Sequence, residues 1–407
     1  MDQPSEFGTP PRAAFFWYLT SNSLSMAALS LQGLLITWIL VGVLEESASV
    51  YGESRALINV APLIILLIGG FAGDRFDARR FLFFLAILTA VVPVLLIFGM
   101  SNLNVWMVIA FGAGTTILSS LADPARQGMV NRVSHLDIQR SIALITIVPS
   151  LVGIAAMSAG TQLERLGLVP VLLVLAGFYL LAAVAVLGLP ELPPIKKERI
   201  DIVEGFRNVL SVPIIRNLIG MNFVSAIFNA GGYMVVMPYI LMEHYAGGTL
   251  PVDDGTLLTA MFIAFTIGST GSTIVLYWMM PLKHPGKIYV SLQLFRILVI
   301  LGIWLQPSPL LFLLFVMCWG INMGITSTLI RSTLQEMAPP AHRSKVLGFY
   351  LFTFTLSSIL AAWILGHIVE WLGALNALLP GVVISVGLYL YGRYWSGYWE
   401  FRSPSVL

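Results

Sequence analysis

Long apolar stretches separated by short polar turns run along the whole chain. Twelve of them reach about 20 residues, the length at which a helix crosses the hydrocarbon core of a bilayer. Lipid offers the backbone no hydrogen-bond partner, and the stretches are too long for barrel strands, so each is predicted to be a helix. The predicted spans are 14–42, 54–73, 81–100, 105–126, 138–160, 168–189, 213–241, 255–279, 288–305, 309–332, 345–368 and 374–393. This pattern predicts an all-α membrane protein.

Composition supports that prediction and excludes several classes of protein. Hydrophobic residues make up 57% of the chain and charged residues only 10%, whereas soluble domains carry about 25% charged residues. The single cysteine, Cys318, excludes an intramolecular disulfide. The histidines lack metal-ligand spacing, no Gly-rich Lys motif for a nucleotide occurs, and no basic run is interleaved with aromatics. We therefore expect no metal, no cofactor, no nucleic-acid partner and no enzymatic activity.

Charged residues are divided unevenly between the turns. With the amino terminus placed inside the cell, every Lys and Arg except Arg55, Arg165 and Arg296 falls on the cytoplasmic side. The outer turns are acidic, with Glu45, Glu46, Glu53, Glu243, Asp253 and Asp254. This distribution follows the positive-inside rule. Because the number of predicted helices is even, both termini are predicted to be cytoplasmic.

The longest polar stretch, residues 190–212, divides the chain into two halves. It predicts a cytoplasmic linker with a short amphipathic helix between one six-helix bundle at 1–189 and another at 213–407. A shift of 208 residues aligns predicted helix four with helix ten. It gives the identical pairs Gly112/Gly320, Ile117/Ile325, Ser119/Ser327, Leu121/Leu329, Gln127/Gln335 and Met129/Met337. This internal sequence repeat predicts two pseudo-symmetric bundles related by an axis along the membrane normal.

A charged turn lies between predicted helices two and three. It contains Gly70, Asp74, Arg75, Arg79 and Arg80, and such charges belong at a membrane surface. A Gly, three residues, then Asp-Arg and further basic residues resembles the loop between helices 2 and 3 of the major facilitator superfamily. The resemblance implies a gate on the cytoplasmic side, in which Asp74 and Arg79 form contacts that break and re-form. The alternative is a positive-inside anchor without a gating role.

A second charged segment stands where predicted helix four ends. Asp123, Pro124 and Arg126 resemble the Pro-x-Arg that follows this helix in the efflux branch of the superfamily, which includes the enterobactin exporter. Asp123 is a potential partner of Arg79 or Arg75, and the shift of 208 places Arg331 opposite Asp123. The resemblance implies that these residues join the cytoplasmic gate. The alternative is that any helix end at the inner face collects Asp and Arg.

Polar residues inside the predicted helices are the candidate lining of a substrate path. Helices 1, 4, 7 and 10 line the path in the superfamily, and polarity concentrates there. The candidates are Asn22, Ser25, Gln32, Thr115, Thr116, Asn222, Asn229, Tyr233, Asn322 and Thr326. For a Ser or Thr, the alternative is a hydrogen bond to its own helix or to a neighbouring helix. This mixture suits a moderately lipophilic substrate.

Few titratable residues are placed to couple transport to protons. No Asp or Glu falls in the middle of a predicted helix, and many relatives carry an acid in helix one where Ser25 and Met26 stand here. The remaining candidates, all toward helix ends, are Glu53, Asp123, Glu164 and His367, and of these Glu53 and Asp123 are assigned to proton coupling. Arg296 lies inside predicted helix nine, where it either snorkels towards the membrane surface or binds substrate.

The resemblance implies a secondary active transporter that works by alternating access without a cofactor. On this interpretation it is a proton-coupled exporter of a small lipophilic or siderophore-like compound. We expect a monomer in contact with membrane lipids in the bacterial inner membrane. The alternatives are an importer, a lysolipid transporter, or a non-transporting membrane sensor or assembly protein. Paired amides and a closed centre would favour the last of these.

Overall fold

The computed structural model describes residues 12–68, 77–134, 138–191, 207, 209, 211–246, 253–338 and 343–403. Helices dominate these residues, and no strand occurs among them. Eleven helices of the described chain are long and apolar enough to cross a membrane. The predicted all-α membrane class is confirmed.

Most of the first six helices follow the predicted spans within a few residues. Their bounds are α1 Arg12–Thr37, α2 Ala48–Ile68, α3 Ala78–Phe98, α4 Val105–Val133, α5 Ile138–Met157 and α6 Leu168–Leu187. α1 continues as a π-helical stretch, Trp38–Val43. α5 is followed by a 3₁₀ stretch, Ser158–Gln162, and one helical turn, Leu163–Leu166.

The remaining helices begin at Pro213. We give the name α7 to Pro213–Gly231 together with its π-helical continuation Gly232–Val236 and the final segment Met237–His244. The others are α8 Asp254–Met279, α9 Pro285–Trp304, α10 Pro309–Met337, α11 Arg343–Leu372 and α12 Leu379–Tyr394. Side-chain caps explain several helix starts. Asp77, for instance, accepts from the backbone N–H of Arg80 at 3.0 Å and so begins α3.

Three predicted helix bounds are wrong. α2 was predicted to begin at 54 and begins at Ala48. α4 was predicted to end at 126 and ends at Val133, and α10 was predicted to end at 332 and ends at Met337. The predictions placed the ends where charged residues appear. A helix, however, satisfies its own backbone wherever its side chains point, so it continues past the apolar stretch. Asp123 and Arg331, predicted close to helix ends, therefore lie further inside their helices.

Packing divides the chain into two compact units. The first contains residues 1–36 and 64–198, and the second contains residues 37–63 and 199–407. Residues 37–63 thus pack with the second unit, although they precede the predicted linker. The boundaries predicted at 189 and 213 stay a prediction about the two bundles, and most of the linker (192–206, 208 and 210) lies outside the described residues.

The core of the first unit is built where α3 contacts α4 and α6. Leu82, Leu85, Ala122, Met129 and Val186 are buried there. Burial of such side chains in a membrane protein is stabilised mainly by close packing, because lipid is as apolar as they are.

Small residues set the packing of the second unit. A Cβ added at Gly268 would overlap the carbonyl oxygen of Met317, and one added at Gly320 would overlap that of Phe265. α8 and α10 therefore approach backbone to backbone, which glycine permits. α9 and α12 pack beside them around Leu218, Tyr289 and Ile330.

Candidate functional site

Two residues predicted for the cytoplasmic gate meet on α4. The carboxylate of Asp123 lies 3.6 Å from Nη1 of Arg126, one turn further along the helix. The Arg126 side chain is 11% exposed and that of Asp123 is 47% exposed. Tyr18 of α1 donates a hydrogen bond of 3.2 Å to the backbone carbonyl of Arg126. In the first unit the pair is therefore held against α1, and the partner of Asp123 is Arg126.

The two described arginines of the charged turn contact the end of α6. Arg79 donates to the carbonyl oxygen of Leu187 at 2.5 Å, which satisfies a free carbonyl of the last helical turn. Arg80 lies 3.6 Å from Glu191, and both side chains are nearly three-quarters exposed. Gly70, Asp74 and Arg75 lie outside the described residues. Arg331, in the second unit, is exposed on α10.

The substrate candidates of the first unit differ in their hydrogen bonding. Thr115 and Thr116 donate to the carbonyls of Phe111 and Gly112 within α4, at 2.8 and 2.6 Å. Both hydroxyls thus bond to their own helix, as the alternative interpretation expects, and the place of these threonines in a substrate path stays a prediction. Gln32 accepts from Tyr179 at 3.3 Å. Buried Asn22 and Ser25 lie on the same helix, and the hydroxyl of Ser25 has no partner.

The candidates of the second unit show the same division. Thr326 donates to the carbonyl of Asn322 in its own helix at 2.8 Å. Tyr233 stacks on Phe265 with ring centroids 3.6 Å apart. The amide nitrogen of Asn222 and the amide oxygen of Asn229 are buried without a partner. Unsatisfied amides inside a helix bundle are uncommon, and each calls for an explanation.

Arg296 is fully enclosed by the second unit. Its Nη1 donates to Ser225 at 2.7 Å and to Gln293 at 3.0 Å, and its Nη2 donates to Asn322 at 3.1 Å. The residue is 3% exposed. The snorkelling interpretation is wrong, because the guanidinium turns towards α7 and α10 and not towards a membrane surface. Two of these partners, Ser225 and Asn322, come from other helices, and the sequence around Arg296 gave no indication of them.

A buried hydrogen-bond network joins α2 to the end of the α-helical part of α1 and to the π-helical part of α7. We call it the α2 cluster, and its members are Thr37, Tyr51, Arg55 and Met234. The Tyr51 hydroxyl donates to the Met234 carbonyl at 2.9 Å and accepts from Nε of Arg55 at 3.1 Å. Nη2 of Arg55 donates to Thr37 at 2.6 Å. Met234 lies in the π-helical part of α7, and π-helical turns are frequent at functional sites.

Four further contacts extend the attachment of α2 and of the turn before it. Tyr239 of α7 donates to the carbonyl of Glu46 at 2.9 Å. Towards α11, the polar contacts are Ser49 to Glu370 at 2.9 Å, Glu53 to His367 at 3.7 Å and Asn59 to Ser358 at 3.3 Å. Of these residues only Glu53 was predicted to be functional from the sequence, and Tyr51, Arg55 and Tyr239 were not. The one indication of the network in the sequence was Arg55, an isolated basic residue on the predicted outer side.

Gly52 lets α2 approach α11 closely. A Cβ there would overlap the carbonyl oxygen of Ala362, and a Cβ at Gly366 would lie 2.5 Å from the carbonyl oxygen of Ala48. Only glycine fits at both positions, so this contact is backbone against backbone. Within the described part of the chain, no three His, Cys, Asp or Glu residues are grouped as metal ligands.

The fold is shared with solved transporters. The nucleoside transporter NupG superposes with a TM-score of 0.71 at 12% identity, covering 95% of this chain and 99% of that one. The POT family transporter PepTSo gives 0.71 at 12% identity over 94% and 98%. A bacterial homologue of the human lysosomal transporter Spinster gives 0.65 at 12% identity over 96% and 97%. At these identities the likeness establishes the fold.

The sequence itself provides the family. No curated protein matches it significantly. The profile of the Major Facilitator Superfamily, however, matches residues 18–362, which is most of the chain. The chain therefore belongs to the Major Facilitator Superfamily and is a multi-pass membrane protein of a transporter family.

Proposed function

We propose that this protein is a secondary active transporter that exports a small lipophilic or siderophore-like compound in exchange for protons. Its site is the bacterial inner membrane, with both termini in the cytoplasm, and it works as a monomer. Resemblance of the charged turn and of Asp123 and Arg126 to the efflux branch supports export. Asp123 and Glu53 are the proposed proton carriers.

The main support for a transport function is a set of buried polar atoms that have no hydrogen-bond partner. Ser25 on α1 and Asn222 and Asn229 on α7 have such atoms, and each lies on a helix of the expected path. A membrane protein that only senses or scaffolds is stabilised when its buried polar groups pair with one another, because lipid offers them no hydrogen-bond partner. A transporter keeps them free for a solute that is bound only part of the time. The free amides therefore favour transport over the non-transporting alternative.

The α2 cluster is the proposed outer gate. It joins α1 and α2 to α7, and the contacts of Ser49 with Glu370 and of Gly52 with Ala362 extend this gate from α2 to α11. Each such bond contributes about 0.5–1.5 kcal/mol net, so the set can be broken by the binding energy of a solute. Alternating access requires a contact of this kind.

A specific alternative concerns the substrate and direction. The structural relatives include transporters named for nucleosides and peptides and a Spinster homologue. Import, or transport of a lysolipid, is therefore the second candidate. It predicts flux that ignores a pH step.

The test is flux into liposomes containing the purified protein, with an imposed pH step. The panel contains lipophilic cations, siderophores, lysolipids, nucleosides and dipeptides. We expect pH-driven flux of one class that is lost in Asp123→Asn or Glu53→Gln and retained in Glu400→Gln, a change in the exposed tail. Flux without pH dependence would remove proton exchange and keep transport. Absence of flux for every class would favour the non-transporting alternative.

A reversible cross-link tests the proposed gate separately. Ser49→Cys and Glu370→Cys replace two exposed side chains that lie 2.9 Å apart, in a chain whose Cys318 is replaced by Ala. A flexible bis-thiosulfonate reagent joining them is expected to stop flux, and reduction is expected to restore it. Full flux in the cross-linked protein would reject the α2 cluster as a gate.

A further inference from the structure

A buried positive charge without a negative partner lies in the middle of α9. Arg296 is the twelfth of the 20 residues of this helix, and its three hydrogen-bond acceptors are the neutral side chains of Ser225, Gln293 and Asn322. In the described part of the chain it forms no ion pair with Asp or Glu. Neutral oxygens satisfy N–H groups but leave the charge itself uncompensated, and a charge inside a membrane bundle is costly.

The unused polar atoms around this charge are predominantly hydrogen-bond donors. Nε of Arg296 and the amide nitrogen of Gln293 are buried without an acceptor. The amide nitrogen of Asn222 is also free, one turn from Ser225 on α7, and the hydroxyl of Tyr289 is free one turn from Gln293. A water molecule accepts hydrogen bonds from one or two such groups but carries no charge. An oxyanion satisfies several donors and neutralises the arginine.

We propose that Arg296, with Gln293 and Asn222, forms a binding site for the carboxylate of an organic solute. A guanidinium presents N–H groups in a rigid fork that matches the two oxygens of a carboxylate. Ser225 and Asn322 hold the guanidinium from α7 and α10, so its orientation is fixed before the ligand arrives. This inference rests on the proposed function, because it names the head group of the transported solute. It favours an anionic solute over a lipophilic cation.

The test measures binding without any gradient, so it is independent of flux. Thermal unfolding of the full-length protein in detergent is followed with benzoate, with benzamide, which has the same ring without the charge, and with sodium chloride. We expect saturating benzoate to raise the melting temperature by about 2–4 °C. Benzamide and chloride at equal concentration are expected to have no such effect.

Two variants assign the effect to this site. Asn322→Asp places a carboxylate of nearly the same shape against Arg296, so the protein supplies its own anion and the benzoate shift should disappear. Arg296→Lys keeps the charge but loses the fork, and the shift should fall at least threefold. Arg216→Gln, an exposed arginine on the same unit, should respond like the parent.

Three results would overturn the proposal. The first is a benzoate-induced shift in melting temperature that is as large in Asn322→Asp as in the parent. The second is an equal shift with benzamide. The third is a chloride-induced shift as large as that of benzoate, with no further rise when benzoate is added. The last would assign the site to an inorganic ion. Loss of all flux with the benzoate shift intact would reject the proposed function and leave this site in place.

Discussion

The hydroxyl of Tyr51 lies 2.9 Å from the backbone carbonyl oxygen of Met234 and donates a hydrogen bond to it. One residue sits on α2 and the other in the π-helical stretch of α7. The same hydroxyl accepts from Arg55, whose guanidinium also contacts the ring of Tyr51 at 5.4 Å from its centroid. A single phenol oxygen therefore links a free backbone carbonyl to a buried cation.

Tyr51→Phe is expected to destabilise the second unit. The change removes the donor to Met234 and leaves Nε of Arg55 without its acceptor, which costs about 1–3 kcal/mol. The free energy of unfolding can be measured by titrating SDS into detergent micelles. Tyr277→Phe is the matched control, because Tyr277 lies on α8 of the same unit with its side chain exposed. Equal losses in both variants would contradict the role given to Tyr51.

Gly52→Ala is expected to push α2 away from α11. The new Cβ would overlap the carbonyl oxygen of Ala362, and relieving such an overlap between backbones costs about 1–3 kcal/mol. Amide hydrogen exchange should speed up in 48–58 more than in α3.

Gly271→Ala supplies the control for that substitution. Nothing lies within 4 Å of a Cβ at this position of α8. The change should be neutral or stabilise by about 0.5–1 kcal/mol, because alanine is the better helix former. Destabilisation by Gly271→Ala as large as that by Gly52→Ala would mean that the contact with α11 is not the cause.

Sequence patterning was sufficient for the helices and insufficient for their contacts. Apolar length placed most of the spans within a few residues, because bilayer thickness fixes that length. Helix ends were misplaced where charge begins, as with Asp123, because the backbone continues to bond beyond the apolar part. The π-helical stretches at Trp38–Val43 and Gly232–Val236 have no composition of their own that predicts them.

The sequence predicted which residue types line the candidate site, but it did not predict their hydrogen-bond partners. Thr115 and Asn229 looked alike in sequence as polar residues in expected path helices. The structure separates them, since Thr115 bonds to its own helix and the oxygen of Asn229 is free. Arg296 received its partners from α7 and α10, which only tertiary packing brings to it.

Arg79→Gln is expected to cost more than Arg80→Gln. Arg79 satisfies the Leu187 carbonyl at the end of α6 at 2.5 Å, and a charge-assisted bond to a helix end contributes about 1 kcal/mol. Arg80 pairs with Glu191 at 3.6 Å between exposed side chains, and such pairs contribute less than about 1 kcal/mol. Unfolding in detergent at low and high salt would separate them, since salt weakens mainly the exposed pair.

Asn229→Leu is expected to raise stability and lower transport together. The amide oxygen of Asn229 is buried without a donor, so an apolar side chain of similar volume removes a desolvation cost of about 1 kcal/mol. The same change removes a polar group from the proposed path, so flux of the compound identified in liposomes should fall at least tenfold. Higher stability with lower activity is expected where a site keeps polar groups unpaired for its ligand.

The comparison that makes this prediction specific is Thr115→Val. Thr115 is equally buried, but its hydroxyl already bonds to α4 at 2.8 Å. Valine keeps the shape and leaves the helix bonds intact, so flux should remain within about twofold and stability should change by less than about 1 kcal/mol. If Thr115→Val lowers flux as much as Asn229→Leu, hydrogen-bond satisfaction does not distinguish path residues from structural ones. If Asn229→Leu lowers the stability of the protein, the amide of Asn229 contributes to folding, and the view that it is kept free for a ligand is wrong.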